Sequence, residues 1–194
     1  MLEKTLNFLT LLRNLEKVER TVYRPGDTFE NDTEHSYQVA MLAWFLADQF
    51  KLSLSKEKLF KYALAHDVVE VYAGDTPVYG SEEVKASKQE REEKSLERIK
   101  GEFGYFPDLI ESIESYEQRN DEESIFIYEL DKLLPPLNMY LDGGYGWNKF
   151  SITLEQIEVE KRSKVKNAKD MVVLLEEMLK RFQDEKESLF IAIK

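Results

Sequence analysis

The fold class this sequence predicts is an all-α bundle. Three observations lead there. Nearly every long segment spaces its apolar residues three and four apart, cap and stop residues bracket those segments, and no stretch shows a convincing strand alternation. Neither an internal repeat nor a low-complexity tract interrupts them, which leaves packed helices as the architecture.

Residues 3–18 place Leu6, Phe8, Leu9, Leu12, Leu15 and Val18 on or near one face of a first helix. Residues 22–31 contain Pro25-Gly26-Asp27, a turn signal, and read as a loop. A second helix starts at Asp32 or Thr33, both good N-caps, and runs through Phe50. Val39, Met41, Leu42, Trp44, Phe45 and Leu46 make it apolar almost all round, the pattern of a central buried helix. Ser55 caps the next, which carries Leu59, Phe60, Ala63, Leu64, Val68 and Val71 until Gly74 stops it and Asp75-Thr76-Pro77 turns the chain.

Residues 81–101 are charge-rich and helical, with Glu and Lys at pairing distances, and read as a solvated face. A short helix over 107–118 opens at Pro107, where proline fits a first turn. Residues 121–141 form another, capped by Asp121, and Pro135-Pro136 is expected to kink or break it just beyond Asp131. Asp142-Gly143-Gly144 ends that segment, and one long helix or two shorter ones fill 153–185.

A chain of 194 residues with 42% hydrophobic content can bury a core without staples. One domain over 1–194 is expected, with 151–194 a C-terminal helical extension packed on it. There is no cysteine, so disulfides and thiolate sites are excluded and any metal must rely on N and O ligands. The net charge of -11 argues against a nucleic-acid polymer as partner. It leaves room for a small phosphate ester, because a metal and a local arginine reverse the field inside a cleft. The apolar start, Leu6 to Leu12, lacks the basic flank and cleavage site of a signal peptide, and no run reaches the roughly 18 apolar residues of a membrane span. A soluble cytoplasmic protein without a membrane partner is the expectation.

The chemistry starts from the only two histidines. His35 lies in Asp32-Thr33-Glu34-His35-Ser36, and His66 precedes Asp67 in Ala63-Leu64-Ala65-His66-Asp67-Val68-Val69-Glu70. Neighbouring side chains on a helix diverge by about 100°, so this pair shares a partner only if that partner sits beside the helix, between them. Glu70, four after His66 and three after Asp67, projects over the same face. Two readings of His66 stay open on residues alone: a metal ligand, or a hydrogen-bonded core histidine with the acids at the surface. His35 reads equally well as a polar first-turn residue. Asp131 is more telling, because it sits amid Ile125, Ile127, Leu130, Leu133 and Leu134, where a lone carboxylate needs a partner.

Taken in order, Glu34-His35-Ser36, Ala65-His66-Asp67-Val68-Val69-Glu70, Gly74-Asp75-Thr76-Pro77 and Leu130-Asp131-Lys132 resemble the HD-domain phosphohydrolases. They are most similar to the branch of bacterial 5′-deoxynucleotidases and their eukaryotic HD-domain relatives. The similarity runs from about Leu6 to about Leu141. It implies an HD-domain helical bundle in which His35, His66, Asp67 and Asp131 bind one divalent transition metal (Co, Mn, Fe, Ni or Zn). Glu70 matches a catalytic acid of that branch and Asp75 a residue that holds the attacking water. Arg20 matches an arginine on the substrate phosphate; Thr21, Asp75 and Pro77 fall at substrate-binding positions. The bacterial enzymes carry a tryptophan where this chain has Thr21, whereas the eukaryotic relatives have an Arg-Thr pair like Arg20-Thr21.

The implied activity is phosphate removal from nucleoside 5′-monophosphates, with deoxyribonucleotides the preferred substrates the resemblance suggests. The same site would also suit a pyrophosphohydrolase or phosphodiesterase acting on another small nucleotide. A helical binding module with a structural metal is the reading from a different class. The resemblance further implies a homodimer. Tyr145, Trp147 and Phe150 could serve its interface, although covering the core is the preferred reading of them.

Overall fold

The computed structural model describes residues 1–191. The predicted extension over 151–194 therefore ends three residues outside the described part.

The chain is helical apart from one hairpin. Helix α1 (Leu2–Leu15) buries Leu11 and Leu15. Strands β1 (Glu19–Arg24) and β2 (Thr28–Asn31) then pair antiparallel, with Tyr23 opposite Phe29 and Arg24 opposite Thr28. This corrects the loop expected at 22–31. The turn at Pro25-Gly26-Asp27 is present, with Gly26 and Asp27 at φ 89° and 59°. It closes two strands too short to display a period of two. Thr21, Val22 and Tyr23 supply β-branched and aromatic side chains that suit a pleated strand.

The hairpin delivers the chain to α2 (Asp32–Gln49), whose N-cap is Asn31. Asn31 Oδ1 accepts from the backbone N–H of Thr33 and Glu34, while Glu34 returns a bond to the Asn31 N–H, a capping box. The cap thus lies one residue before the predicted start, and Asp32 is free to turn inward. On the inner face Asp32, His35, Val39, Ala43 and Leu46 are buried. The outer face differs from expectation: Tyr37, Met41, Trp44 and Phe45 are exposed apolar residues.

Ser55 caps α3 (Lys56–Ala65) as predicted. The helix does not continue to Gly74. Its i→i−4 ladder ends with the His66 N–H on Tyr62, and the next bonds run i→i−3, from Val68 to Ala65, Glu70 to Asp67 and Val71 to Val68. Helix α4 (Glu70–Ala73) follows, stopped by Gly74 at φ 73°. His66, Asp67, Val68, Val69 and Glu70 are all buried, so this segment turns every side chain to the interior.

The charged run divides into α5 (Glu82–Ala86) and α6 (Lys88–Phe103), the latter burying Ser95, Ile99 and Phe103. Helix α7 (Pro107–Gln118) has its proline in the first turn. Helix α8 (Glu122–Leu141), capped by Asp121, runs unbroken through Pro135 and Pro136. The two missing N–H groups leave the carbonyls of Asp131 and Lys132 without their intrahelical donors. Contacts with α2, α3, α10 (Leu154–Lys164) and α11 (Lys169–Asp184) hold α8 in line despite that loss. Short helices α9 (Tyr145–Lys149) and α12 (Lys186–Leu189) complete the order. Trp147 of α9 is 1% exposed, so it covers the core.

Two apolar clusters form the interior. The larger joins α2, α3, α8 and α11; the smaller joins α1 and the 65–69 segment to α6 and α7. His66 and Asp67 interrupt the chain between Ala63 of the first cluster and Val68 of the second. The C-terminal helices are tied to α8 by Glu129, which accepts from the backbone N–H of Lys166, Asn167 and Ala168 at 3.0, 2.6 and 3.0 Å. No helix among the described residues is long and apolar enough to cross a membrane.

Candidate metal centre

The inward face of α2, the break after α3 and the middle of α8 bring His35, His66, Asp67 and Asp131 to one point. One ligand atom from each lies within 4.8 Å of the others, and all four residues are buried. His66 keeps α-helical φ and ψ (−60° and −39°), so the pair converges on a point beside the end of α3, between the two side-chain directions.

Each imidazole is oriented by its other nitrogen. His66 Nδ1 donates to the Ala63 carbonyl at 2.9 Å, which leaves Nε2 as the lone-pair nitrogen. That Nε2 is buried and has no hydrogen-bond partner, although Asp67 Oδ2 is only 3.0 Å away and Asp131 Oδ1 3.8 Å. His35 Nδ1 meets the fully buried Glu30 Oε1 at 2.9 Å, and its Nε2 faces Asp131 Oδ1 at 2.9 Å. A carboxylate behind a histidine is the usual support of a metal ligand. The donor set of two imidazoles and two carboxylates, with one imidazole nitrogen left unpaired, fits a divalent transition metal.

The electrostatics separate the acids into two kinds. Burial opposes ionisation of Asp67, but His66 and Arg20 hold it well below the usual carboxylate range. Asp131 behaves alike, burial being outweighed by Lys132, His35 and His66. Glu70 goes the other way: burial, then the charge of Asp67, push it well above the ordinary value. Burial and Asp67 also drive Asp32 up, to about 7, against the pull of Arg20. Asp32, Asp67 and Glu70 themselves bring carboxylate oxygens within 4.8 Å of one another.

The HD domain family matches residues 12–172, a span that includes all four converging side chains. The chain belongs to the HD-domain family. The 5′-deoxynucleotidase HDDC2 of Danio rerio is 32% identical over 137 residues, 68% of this chain and 66% of the relative. Its human counterpart is 31% identical over 66% of this chain and 62% of its own length. This chain thus spans just under two thirds of these vertebrate relatives. A 5′-deoxynucleotidase of Enterobacter sp. (strain 638) is 26% identical over 91% of this chain and 92% of the relative. In fold, a predicted metal-dependent phosphohydrolase from Magnetospirillum magnetotacticum superposes with a TM-score of 0.80 at 23% identity, covering 95% and 94% of the two chains. An HD-domain phosphohydrolase from Listeria innocua gives 0.65 at 22% identity, covering 92% and 89%.

Beside the His35, His66, Asp67 and Asp131 cluster of this HD domain stands Arg20, carried on β1. Its guanidinium bonds Asp67 and, at 3.1 Å, Asp32 Oδ1; Asp131 Oδ1 is 3.9 Å away. Asp75 accepts from the Thr21 backbone N–H at 3.3 Å, joining the 74–77 loop to the hairpin. Arg20, Thr21, Asp75 and Pro77 all line one cavity of about 410 Å³. Val22, Pro135, Pro136, Met139, Trp147, Phe150, Ile152 and Ile157 make most of its remaining wall apolar.

Several residues of this neighbourhood escaped the sequence reading. Glu30 and Asp32, both 0% exposed, fell in a presumed loop and at a presumed cap; only the hairpin turns them inward. Lys132 pairs with Asp131, a contact that adjacency in Leu130-Asp131-Lys132 does not disclose because it depends on which face is buried. Arg91 lay in the run read as solvated. It instead donates to the carbonyls of Ala73 and Gly74 and, at 2.6 Å, to Thr76 Oγ1, bracing the loop that carries Asp75. Ser95 of the same helix donates to the Val69 carbonyl and so braces the break beside Asp67. No periodicity signals either contact.

Proposed function

We propose that this chain is a metal-dependent phosphomonoesterase that removes the phosphate from nucleoside 5′-monophosphates, deoxyribonucleotides preferred. The observation that carries the reading is the convergence of one ligand atom each from buried His35, His66, Asp67 and Asp131 within 4.8 Å, with His66 Nε2 lacking a hydrogen-bond partner. His35, His66, Asp67 and Asp131 would hold one ion, with Co, Mn, Fe, Ni and Zn all compatible with the donors. When bound, it supplies Lewis-acid polarisation of a phosphoryl oxygen and a lowered pKa for water.

The remaining roles fall to the chain. Arg20, charged throughout the working range, offers a fork of N–H donors to phosphate oxygens. Asp75, held by the Thr21 N–H, orients a water and takes its proton. Glu70, kept protonated by burial, gives a proton to the leaving 5′-oxygen. Thr21 and Pro77 flank the sugar from the cavity wall.

The test is a phosphate-release screen over ribo- and deoxyribonucleoside monophosphates, with each metal added to stripped protein. One equivalent of bound metal and release from monophosphates, fastest with deoxyribose, are expected. Asp67→Ala should lose metal and turnover together, whereas Arg20→Ala should keep the metal and bind the ester weakly. Full turnover by Asp67→Ala, or no release from any monoester with any metal, overturns the assignment.

We further infer a single domain over 1–194 that works in the cytoplasm as a homodimer. The exposed stripe of Tyr37, Met41, Trp44 and Phe45 on α2, with Leu64 of α3, supports self-association. Light scattering should give twice the chain mass, and Phe45→Glu should halve it; a monomer at every concentration rules the dimer out.

A further inference from the structure

Lys161 is a buried cation that the chemistry above leaves unused. It is 5% exposed, lies on α10, and lines the same cavity as Arg20 and Asp75. Its ammonium stands 2.7 Å from Glu160 Oε2, and among the described residues no other group pairs with it. Burial lowers its proton affinity more than Glu160 restores it. An ammonium has three donors, and a buried charge served by one neighbouring carboxylate is costly unless something else completes its shell. The adjoining wall is apolar and partly flat: Pro135, Pro136, Trp147 and Phe150 offer surfaces suited to a heterocycle.

Resting on the phosphomonoesterase reading, we propose that Lys161 and Glu160 read the base of the bound nucleotide. The ammonium donates to the carbonyl oxygen at C4 of a pyrimidine or C6 of a purine, where adenine and cytosine carry an amino group instead, and Glu160 behind it holds the ammonium in place. Thymine, uracil and guanine present that edge; adenine and cytosine do not. The neighbouring carboxylate also decides against a second phosphate at Lys161, since it would repel an anion but not a neutral carbonyl. The pair comes from the C-terminal helices, beyond the segment that holds the metal ligands. Base selection is thereby built on a different part of the chain from phosphate chemistry.

The experiment measures kcat/KM of the metal-loaded protein for dTMP, dGMP, dAMP, dCMP and 2-deoxyribose 5-phosphate, which has no base. The wild type should favour dTMP and dGMP by about tenfold or more, the worth of a charge-assisted hydrogen bond. Lys161→Met keeps the length and apolar body of the side chain. It should erase that preference while leaving dAMP and the baseless ester within about twofold. Glu160→Gln, at a more exposed position, serves as a second variant should Lys161→Met melt early, and should relax the same preference. Equal hydrolysis of all four nucleotides by the wild type, or a loss in Lys161→Met that includes the baseless ester, overturns the base assignment and leaves the hydrolase intact. Thymidine separates the two ideas from the other side, because it carries no phosphate. Tighter binding of thymidine than of deoxyadenosine, abolished in Lys161→Met, supports base reading even if no ester is hydrolysed, an outcome that would overturn the phosphomonoesterase alone.

Discussion

Glu129 and Asp131 stand two residues apart on α8, 0% and 2% exposed, and meet opposite surroundings. Glu129 accepts three backbone N–H bonds from the start of the C-terminal helices, so its charge is spread over peptide donors that cannot leave. Asp131 faces two imidazoles, a lysine and an arginine, in a cluster where Asp67 and Glu70 also crowd and where His66 Nε2 and Glu70 Oε2 lack partners. Satisfied buried charge builds the fold. Crowded and under-satisfied buried charge marks the place where chemistry is done.

That contrast can be broken at its strongest point first. Asp131→Asn should abolish metal retention and turnover, with only a modest loss of metal-free stability, because its amide oxygen still accepts from Lys132 while the charge is lost. Glu129→Ala should do the reverse: a loss of about 2–4 kcal/mol in denaturant unfolding, with turnover per folded molecule retained. If the two variants exchange these signatures, the distinction between them is wrong. The smallest effect sharpens it at a surface cap. Burial opposes ionisation of Asp121, but bonds from Ser124, Lys58 and Tyr62 hold its carboxyl down at about 2. A depressed carboxyl contributes stability above its unfolded value of about 4 and loses it as the pH falls towards the folded one. Asp121→Ala should therefore cost about 1 kcal/mol at neutral pH, the worth of an N-cap. That difference should fade between about pH 4 and pH 2. A difference that is constant with pH would assign the effect to the cap geometry alone.

What could be read from the residues follows the same division. Ser55, Pro107 and Asp121 announce their helices because caps and first-turn prolines act locally, through backbone groups a few residues away. The hairpin did not announce itself, since its strands are short and spend Arg20, Arg24 and Glu30 on ion pairs instead of on an alternating pattern. Likewise the α3 pattern ran on through His66 in sequence, while in the fold the i→i−4 ladder ends there and the following residues pack into a second cluster with α6 and α7, a tertiary demand that no local pattern displays. The four converging residues, His35, His66, Asp67 and Asp131, were legible as a motif. Their supports, Glu30, Asp32, Arg91 and Ser95, were not, because a charged or polar residue in a mixed segment shows nothing of which way tertiary packing will turn it.

His35 and Asp131 meet across 96 positions of chain. No fragment ending before α8 can close that loop, and the entropy of closure is recovered only once both ends have packed. A growing polypeptide therefore offers a cation nothing but scattered side chains until most of its length has been made. On the proposed ligand set, metal acquisition would be a late event in the life of each molecule, and an ion held there would act on the folding equilibrium of the whole chain, adding about 2.7 kcal/mol when free metal stands at a hundred times its dissociation constant.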